Sequence, residues 1–270
     1  MDQAQPEDGI FRLHPTDDAR IFPSPLAGGP WDAEHQHGGA VSGLLTRSLH
    51  QIKSPVPMRL TRMTIEMFRG VPLRELRIET RIVRAGRRIQ SVEAGLFDGE
   101  TQVARATGLR IRRDDDLAEL ETETTREAAL GLPPESVSKP DYASASMRVP
   151  GFIGAVDIET EMASTCGTPM NVWTRLRCRL MEGEETPPIV RLATLVDFTS
   201  GTGNAMDYTK YTSINPDLSI HVLREPRSDW IGIRGVTLRD AEGIGQSLAE
   251  IHDLDGPIGS VQASLLLDKR

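Results

Sequence analysis

Met63-Thr-Ile-Glu-Met-Phe-Arg69 opens a run that ends at Ile111, and Leu218-Ser-Ile-His-Val-Leu-Arg224 opens a second run that ends at Leu267. The two runs line up along their length. Residues 59–69 alternate apolar and polar side chains, the period of a half-buried strand. Three more strand-like stretches follow at 75–84, 89–97 and 101–112, with turn residues between them: Gly70 with Pro72, Gly86, and the hairpin pair Asp98-Gly99. The second run repeats this order at 217–225, 230–239, 245–253 and 257–267, punctuated by Pro226, Gly243 and Asp255-Gly256. Connections this short call for antiparallel pairing, because a parallel neighbour needs a long crossover.

Each meander follows an apolar helical stretch. The first, Gly38-Gly-Ala-Val-Ser-Gly-Leu-Leu-Thr-Arg-Ser-Leu-His-Gln51, carries three glycines where each costs about 1 kcal/mol relative to alanine. Close packing must offset that cost, and the backbones of a curved sheet wrapped around the helix are expected to supply it. The second stretch, 189–202, reads Ile-Val-Arg-Leu-Ala-Thr-Leu-Val-Asp-Phe-Thr-Ser-Gly-Thr. The first helix opens with His37-Gly38-Gly39 and contains no carboxylate. The second lacks the glycine pair and holds Asp197 within an apolar run. The two copies thus divide one set of polar groups between them.

A length of 270 residues with 38 % hydrophobic and 26 % charged side chains suits one large or two ordinary globular domains. The division expected is 1–115, a polar connector over 116–150, and 151–270. The connector follows Asp114-Asp115-Asp116 and is rich in Glu, Thr, Ser and Pro. It is too polar for a core of its own, with a short helix near 116–130 where Leu117, Leu120 and Ala128 hint at an apolar stripe. No run is long enough to cross a bilayer and the start is acidic and polar, so a soluble, cytoplasmic chain is expected. The net charge of −8 opposes nucleic-acid and anionic-membrane partners. Cys166 and Cys178 stand without a CxxC or a histidine cluster, which points to no disulfide framework and no metal site. No cofactor is expected. There is no GxSxG elbow and no P-loop, and Gly201-Thr202-Gly203 follows a helix rather than a strand.

A buried apolar helix followed by a four-strand antiparallel meander, present twice, resembles the double hot dog fold (class α+β) of the thioesterase II type of acyl-CoA thioesterase. The segments that carry the resemblance are Gly29-Pro30-Trp31 to His37-Gly38-Gly39, Leu192-Ala193-Thr194-Leu195-Val196-Asp197-Phe198, Asp217-Leu218-Ser219-Ile220-His221, and Val261-Gln262. The resemblance covers roughly residues 20–112 and 153–268. It implies hydrolysis of an acyl-CoA thioester in fatty acid metabolism and assembly as a homo-oligomer. It also implies an attacking water held by an Asp, a Thr or Ser, and a Gln, which fall on Asp197, Asn215 and Gln262. Asn215 departs from the hydroxyl of the pattern, although Ser213 and Thr212 lie close by.

The residues themselves fit this chemistry. Thioester hydrolysis needs a water, a group that takes its proton, and donors for the oxyanion. A carboxylate desolvated in an apolar helix suits a general base, so Asp197 takes that role. Asn215 and Gln262 are neutral and both donate and accept, so they can orient water without competing for its proton. The backbone N–H groups of Gly38 and Gly39, at the positive end of the first helix, are placed to meet an oxyanion, with His37 lining the entrance. One competent site per chain is expected. Two other functions fit the same frame: a non-catalytic acyl-CoA binder, and a hot dog enoyl-CoA hydratase whose motif Asn215-Pro216-Asp217 imitates in part.

Overall fold

Thirteen of the strands lie side by side in a single path, and the two helices lie within its curve. The computed structural model describes residues 9–114, 117, 151–160, 167–204 and 206–270. The connector expected over 116–150, with its short helix, falls outside the described residues apart from Leu117, which is exposed.

In chain order, β1 (Gly9–His14) and β2 (Asp17–Pro23) form a hairpin ahead of α1 (Gly38–Gln51). The first meander is β3 (Met58–Met67), β4 (Leu76–Arg84), β5 (Ile89–Asp98) and β6 (Thr101–Arg112). The second half begins with β7 (Val156–Thr160), β8 (Met170–Leu176) and β9 (Arg179–Met181). It continues through α2 (Pro188–Leu195), β10 (Tyr211–Ile214) and the meander β11 (Asp217–Val222), β12 (Ile231–Arg239), β13 (Ile244–Asp253) and β14 (Gly256–Lys269). The strands of both expected meanders sit where the alternation of their residues places them, but neither set pairs as a simple meander: β3 lies beside β6 and not β4, and β11 beside β14 and not β12, so the first strand of each set closes on the last. Strands β1, β2 and β7 to β10 are additions; most are short, and their burial alternates weakly, so periodicity alone does not reveal them.

The sheet order is β7-β8-β12-β13-β14-β11-β3-β6-β5-β4-β2-β1-β9, with β10 also paired to β14. The two halves meet at β11 and β3, which run antiparallel with Leu218 opposite Ile65 and Ser219 opposite Thr64. Thr64 and Ser219 are equivalent positions of the repeat. Equivalent residues that face one another across an antiparallel seam mark a local two-fold axis. All-antiparallel pairing, the expectation from loop lengths, fails at one place: β9 pairs in parallel with β1 at Gly9↔Arg179 and Phe11↔Met181. Those strands come from different halves, so no short loop has to make the crossover.

Helix α1 is buried from Gly39 through Leu49, as a helix enclosed by a sheet must be. Its glycines, however, make room for α2 rather than for strand backbones. A Cβ on Gly39 would stand 2.5 Å from the carbonyl oxygen of Thr194, and one on Gly43 would strike the Thr194 hydroxyl. Ser42 Oγ donates to the carbonyl of Ala193 across the same interface at 2.7 Å. The C-terminal end of α1 is held by Arg110 of β6, 4 % exposed, whose guanidinium donates to the carbonyls of Leu49, His50 and Ile52. A cation at this end satisfies orphan carbonyls and complements the helix dipole.

At the far end of the second meander Arg224 donates two hydrogen bonds to the buried carboxylate of Asp253, at 2.7 and 2.6 Å. Burial acts to raise the Asp253 carboxyl. The Arg224 guanidinium and the N–H groups of Arg227 and Asp255 outweigh it and hold the group below the usual carboxylate range. A depressed folded-state value contributes its full stabilisation above about pH 5, where the unfolded carboxyl is largely ionised, and this stabilisation fades as pH falls through the unfolded value of about 4 to the folded value. Asp253→Asn is therefore expected to lower the denaturation midpoint at pH 7, with the gap from the wild-type chain narrowing as unfolding curves are taken below pH 4. A gap independent of pH would contradict this account.

Candidate active site

His37 ends an extended segment whose backbone is pinned on both sides. Its N–H donates to the carbonyl of Ala27 at 2.8 Å, and the N–H of Gln36 donates to Val71 at 2.8 Å. It is the N-cap of α1, and its Nδ1 accepts from the N–H of Gly39 at 3.0 Å, a task more often given to Ser, Asp or Asn. Beside it, Gly38 and Gly39 supply the first N–H groups of the helix, which have no carbonyl one turn back to bond.

Asp197 reaches this point from the other half. The apolar helix expected over 189–202 is α-helical only to Leu195 and tightens into a 3-10 turn over Val196–Gly201. Hydroxyls there bond back to the chain: Ser200 Oγ to the carbonyl of Asp197 and Thr202 Oγ1 to that of Phe198, an alternative to the α-helical ladder. The turn delivers the Asp197 carboxylate, 3 % exposed, onto the start of α1. Oδ2 stands 3.0 Å from His37 Nδ1. A Cβ on Gly38 would stand 2.9 Å from both carboxylate oxygens, so a side chain there would push the carboxylate aside.

Asn215 completes the cluster by donating from Nδ2 to Asp197 Oδ1 at 2.7 Å. A bulge in the sheet places it there. Strand β10 pairs with β14 at Ile214↔Leu266, and β11 resumes at Ser219↔Gln262 with one extra residue on its side. Pro216 has no N–H for the ladder, and its carbonyl accepts from Met67 of the neighbouring half at 2.7 Å. Such a bulge re-aims a side chain, here Asn215 toward the helices. Around the cluster the His37 ring stacks on Phe152 at 4.5 Å between centroids, with Phe198 at 5.6 Å. Phe152 is fully buried.

The expected residues are therefore brought together in part. His37, Gly38, Asp197 and Asn215 meet, and Gly39 binds through its N–H. Gln262 does not join them: it lies opposite Ser219 on β14, exposed, while its neighbours Val261 and Ala263 point into the core. The period of two puts its side chain on the other face of the sheet. Ser213, a possible source of the hydroxyl, is buried and accepts from Asn204 Nδ2 at 3.2 Å. Asp217, the acid next to Asn215-Pro216, accepts from the N–H of Ser264 at 2.8 Å and takes part in the sheet instead. Sequence reading did not find the aromatic wall of Phe152 and Phe198 or the direct His37–Asp197 contact. Phe152 follows the polar connector with no periodicity to announce it, and the His37–Asp197 contact joins residues from different halves.

The equivalent place in the other half carries opposite chemistry. Counted from the first residue of each helix, Gly38 and Pro188, the position of Asp197 corresponds to Arg47. Arg47 is buried and binds Glu184 with two hydrogen bonds at 2.9 and 2.6 Å. A bidentate ion pair fills that place, so the polar cluster at Asp197 has no twin there. Among the described residues no three or more His, Cys, Asp or Glu side chains are grouped to hold a metal ion, and no helix is long and apolar enough to cross a membrane.

Comparison with known proteins gives a consistent result. Residues 27–111 match the acyl-CoA thioesterase N-terminal domain, and residues 130–267 match the acyl-CoA thioesterase C-terminal domain. An acyl-CoA thioesterase II from Mycobacterium marinum superposes with a TM-score of 0.66 at 14 % identity, over 96 % of this chain and 95 % of its own. A hot dog protein of unknown function from Alicyclobacillus acidocaldarius superposes with a TM-score of 0.68 at 12 % identity, over 94 % of each chain. The fold is the double hot dog. A search of curated proteins finds no match.

The fit of Gly38 against the carboxylate yields a direct test. Gly38→Ala is expected to leave the melting temperature nearly unchanged while displacing Asp197, with thiol release from acyl-CoA falling about 100-fold, the scale of a misplacement near 1 Å. Full activity in Gly38→Ala would show that the carboxylate need not sit there.

Proposed function

The chain belongs to the acyl-CoA thioesterase family, and on that premise we propose that it hydrolyses an acyl-CoA to a free acid and coenzyme A at the Asp197 cluster. One observation carries the assignment of the site: a buried carboxylate from the second half lies against the side-chain-free start of a helix from the first. A base and a set of oxyanion donors thus stand within one contact of each other.

Asp197 takes a proton from a water as the water oxygen bonds to the thioester carbonyl carbon. The C=O π electrons move onto oxygen, and the resulting oxyanion is met by N–H groups at the start of α1. The oxyanion then collapses, the C–S bond breaks with its electron pair leaving on sulfur, and the proton held by Asp197 passes to the departing thiolate. Water and thioester are thereby converted to acid and thiol. Asn215 binds Asp197 through Nδ2, which leaves its carbonyl oxygen as the acceptor that orients the water. In this role the amide stands where the resemblance implies a hydroxyl, and it reaches the Asp197 carboxylate from a bulged backbone.

Purified protein and three variants, assayed for thiol release from short, medium and long acyl-CoAs, test this reading. Asp197→Asn is expected to lose about 1,000-fold in kcat with its fold intact, the scale of removing a base that acts in the transition state. Asn215→Thr is expected to stay within about tenfold of wild type, and Gln262→Ala within about threefold, since its side chain lies on the opposite face. Wild-type turnover by Asp197→Asn would remove the carboxylate from the mechanism. A large loss in Gln262→Ala would bring that residue into the site.

A further inference from the structure

Two partners claim one nitrogen. His37 Nδ1 lies 3.0 Å from the N–H nitrogen of Gly39 and 3.0 Å from Asp197 Oδ2. An imidazole nitrogen carries either a lone pair or a proton, so it cannot accept from Gly39 and donate to Asp197 at the same time. With Nδ1 bare, the Gly39 N–H is capped, and the nitrogen lone pair faces a carboxylate unless Asp197 is protonated. With Nδ1 protonated, the ring donates to an ionised Asp197 and the Gly39 N–H is released.

The surroundings favour the second arrangement when Asp197 is ionised. Asn215 Nδ2 is a donor and already fills Oδ1, which leaves Oδ2 as the acceptor that faces the ring. The ring is held against Phe152 and Phe198, and the His37 and Asp197 side chains are 12 % and 4 % exposed, so water has little access to substitute for either partner. Among the described residues Asp197 is the charged side chain in contact with this ring. Asn215 beyond it is neutral, and the neighbouring 3-10 turn Phe152–Ala155 and the first turn of α1 carry no titratable side chain.

We propose that His37 is a positioning residue that couples the ionisation of Asp197 to the oxyanion donors: the ionised carboxylate draws the Nδ1 proton toward itself, and the Gly39 N–H that this frees binds the thioester oxygen. This inference rests on the thioesterase reading above. In this arrangement protonation of Asp197 disables the site twice, because the base is lost and Nδ1 can again cap Gly39. His37 does not touch the reacting atoms; it decides whether the amide that does so is available.

Two variants and one spectroscopic measurement test the coupling. Asn caps helices well and accepts through Oδ1, so His37→Asn keeps α1 intact while holding the Gly39 N–H; kcat is expected to fall about 100-fold with affinity for a nonhydrolysable acyl-CoA little changed. Phe keeps the stacked ring but has no nitrogen. In His37→Phe the Gly39 N–H stays free and Asp197 loses a donor, so kcat is expected to fall less than in His37→Asn. Equal losses in both variants would overturn the proposal. Nitrogen-15 NMR of the histidine rings in the wild-type protein reads the proton directly. A protonated Nδ1 in His37 at the pH of full activity is expected, and a bare Nδ1 there would overturn the coupling even if the enzyme hydrolyses acyl-CoA. Absence of any wild-type hydrolysis would instead count against the thioesterase reading.

Discussion

The close approach of α1 to α2 is the constraint on which the site depends. Gly39 lies against the Thr194 carbonyl and Gly43 against its hydroxyl, at separations that leave no room for a methyl group. Glycine inside a helix costs about 1 kcal/mol per position, and the packing of two buried helices and the Ser42 to Ala193 hydrogen bond offset it. The geometric return is larger than the energetic one. With the helices this close and antiparallel, the residue just past the end of α2 falls on the start of α1, and that residue is Asp197.

A two-fold arrangement of two similar halves would give two such meetings, one at each end of the helix pair. The chain keeps one and closes the other. At one end a carboxylate faces glycines, a histidine and an amide; at the other Arg47 and Glu184 neutralise each other. The first end leaves polar atoms of opposite roles within reach of a ligand, whereas the second satisfies its charges internally. Duplication supplied the frame, and substitution at equivalent places separated chemistry from structure.

The sheet contributes through a single irregularity. The seam between halves is regular, with equivalent residues Thr64 and Ser219 face to face, and it fixes one half against the other. One extra residue between β10 and β11 breaks this regularity beside the helices and turns Asn215 inward. Around Gln262 the pleat is kept, with β14 in unbroken register against β13 from Leu266 to Gly259, which is why Gln262 follows its neighbours' alternation out to the opposite face.

The sequence by itself determined the strands of the two repeats, their antiparallel sense within each half, the two buried helices and the division of glycines and carboxylate between them, because periodicity, turn residues and the cost of a charge in an apolar run are local properties; the order in which those strands pair, with β3 closing on β6 and β11 on β14, was not among them. It also singled out His37, Gly38, Gly39 and Asp197, and through the family resemblance Asn215 and Gln262, of which Gln262 lies away from the others. Tertiary structure alone decided that the glycines face the second helix rather than the sheet, that β9 crosses to the other half, that a bulge admits Asn215 to the Asp197 cluster, and that one histidine nitrogen lies within reach of both Gly39 and Asp197. Each of these depends on the distance between residues far apart in the chain, which no local pattern encodes.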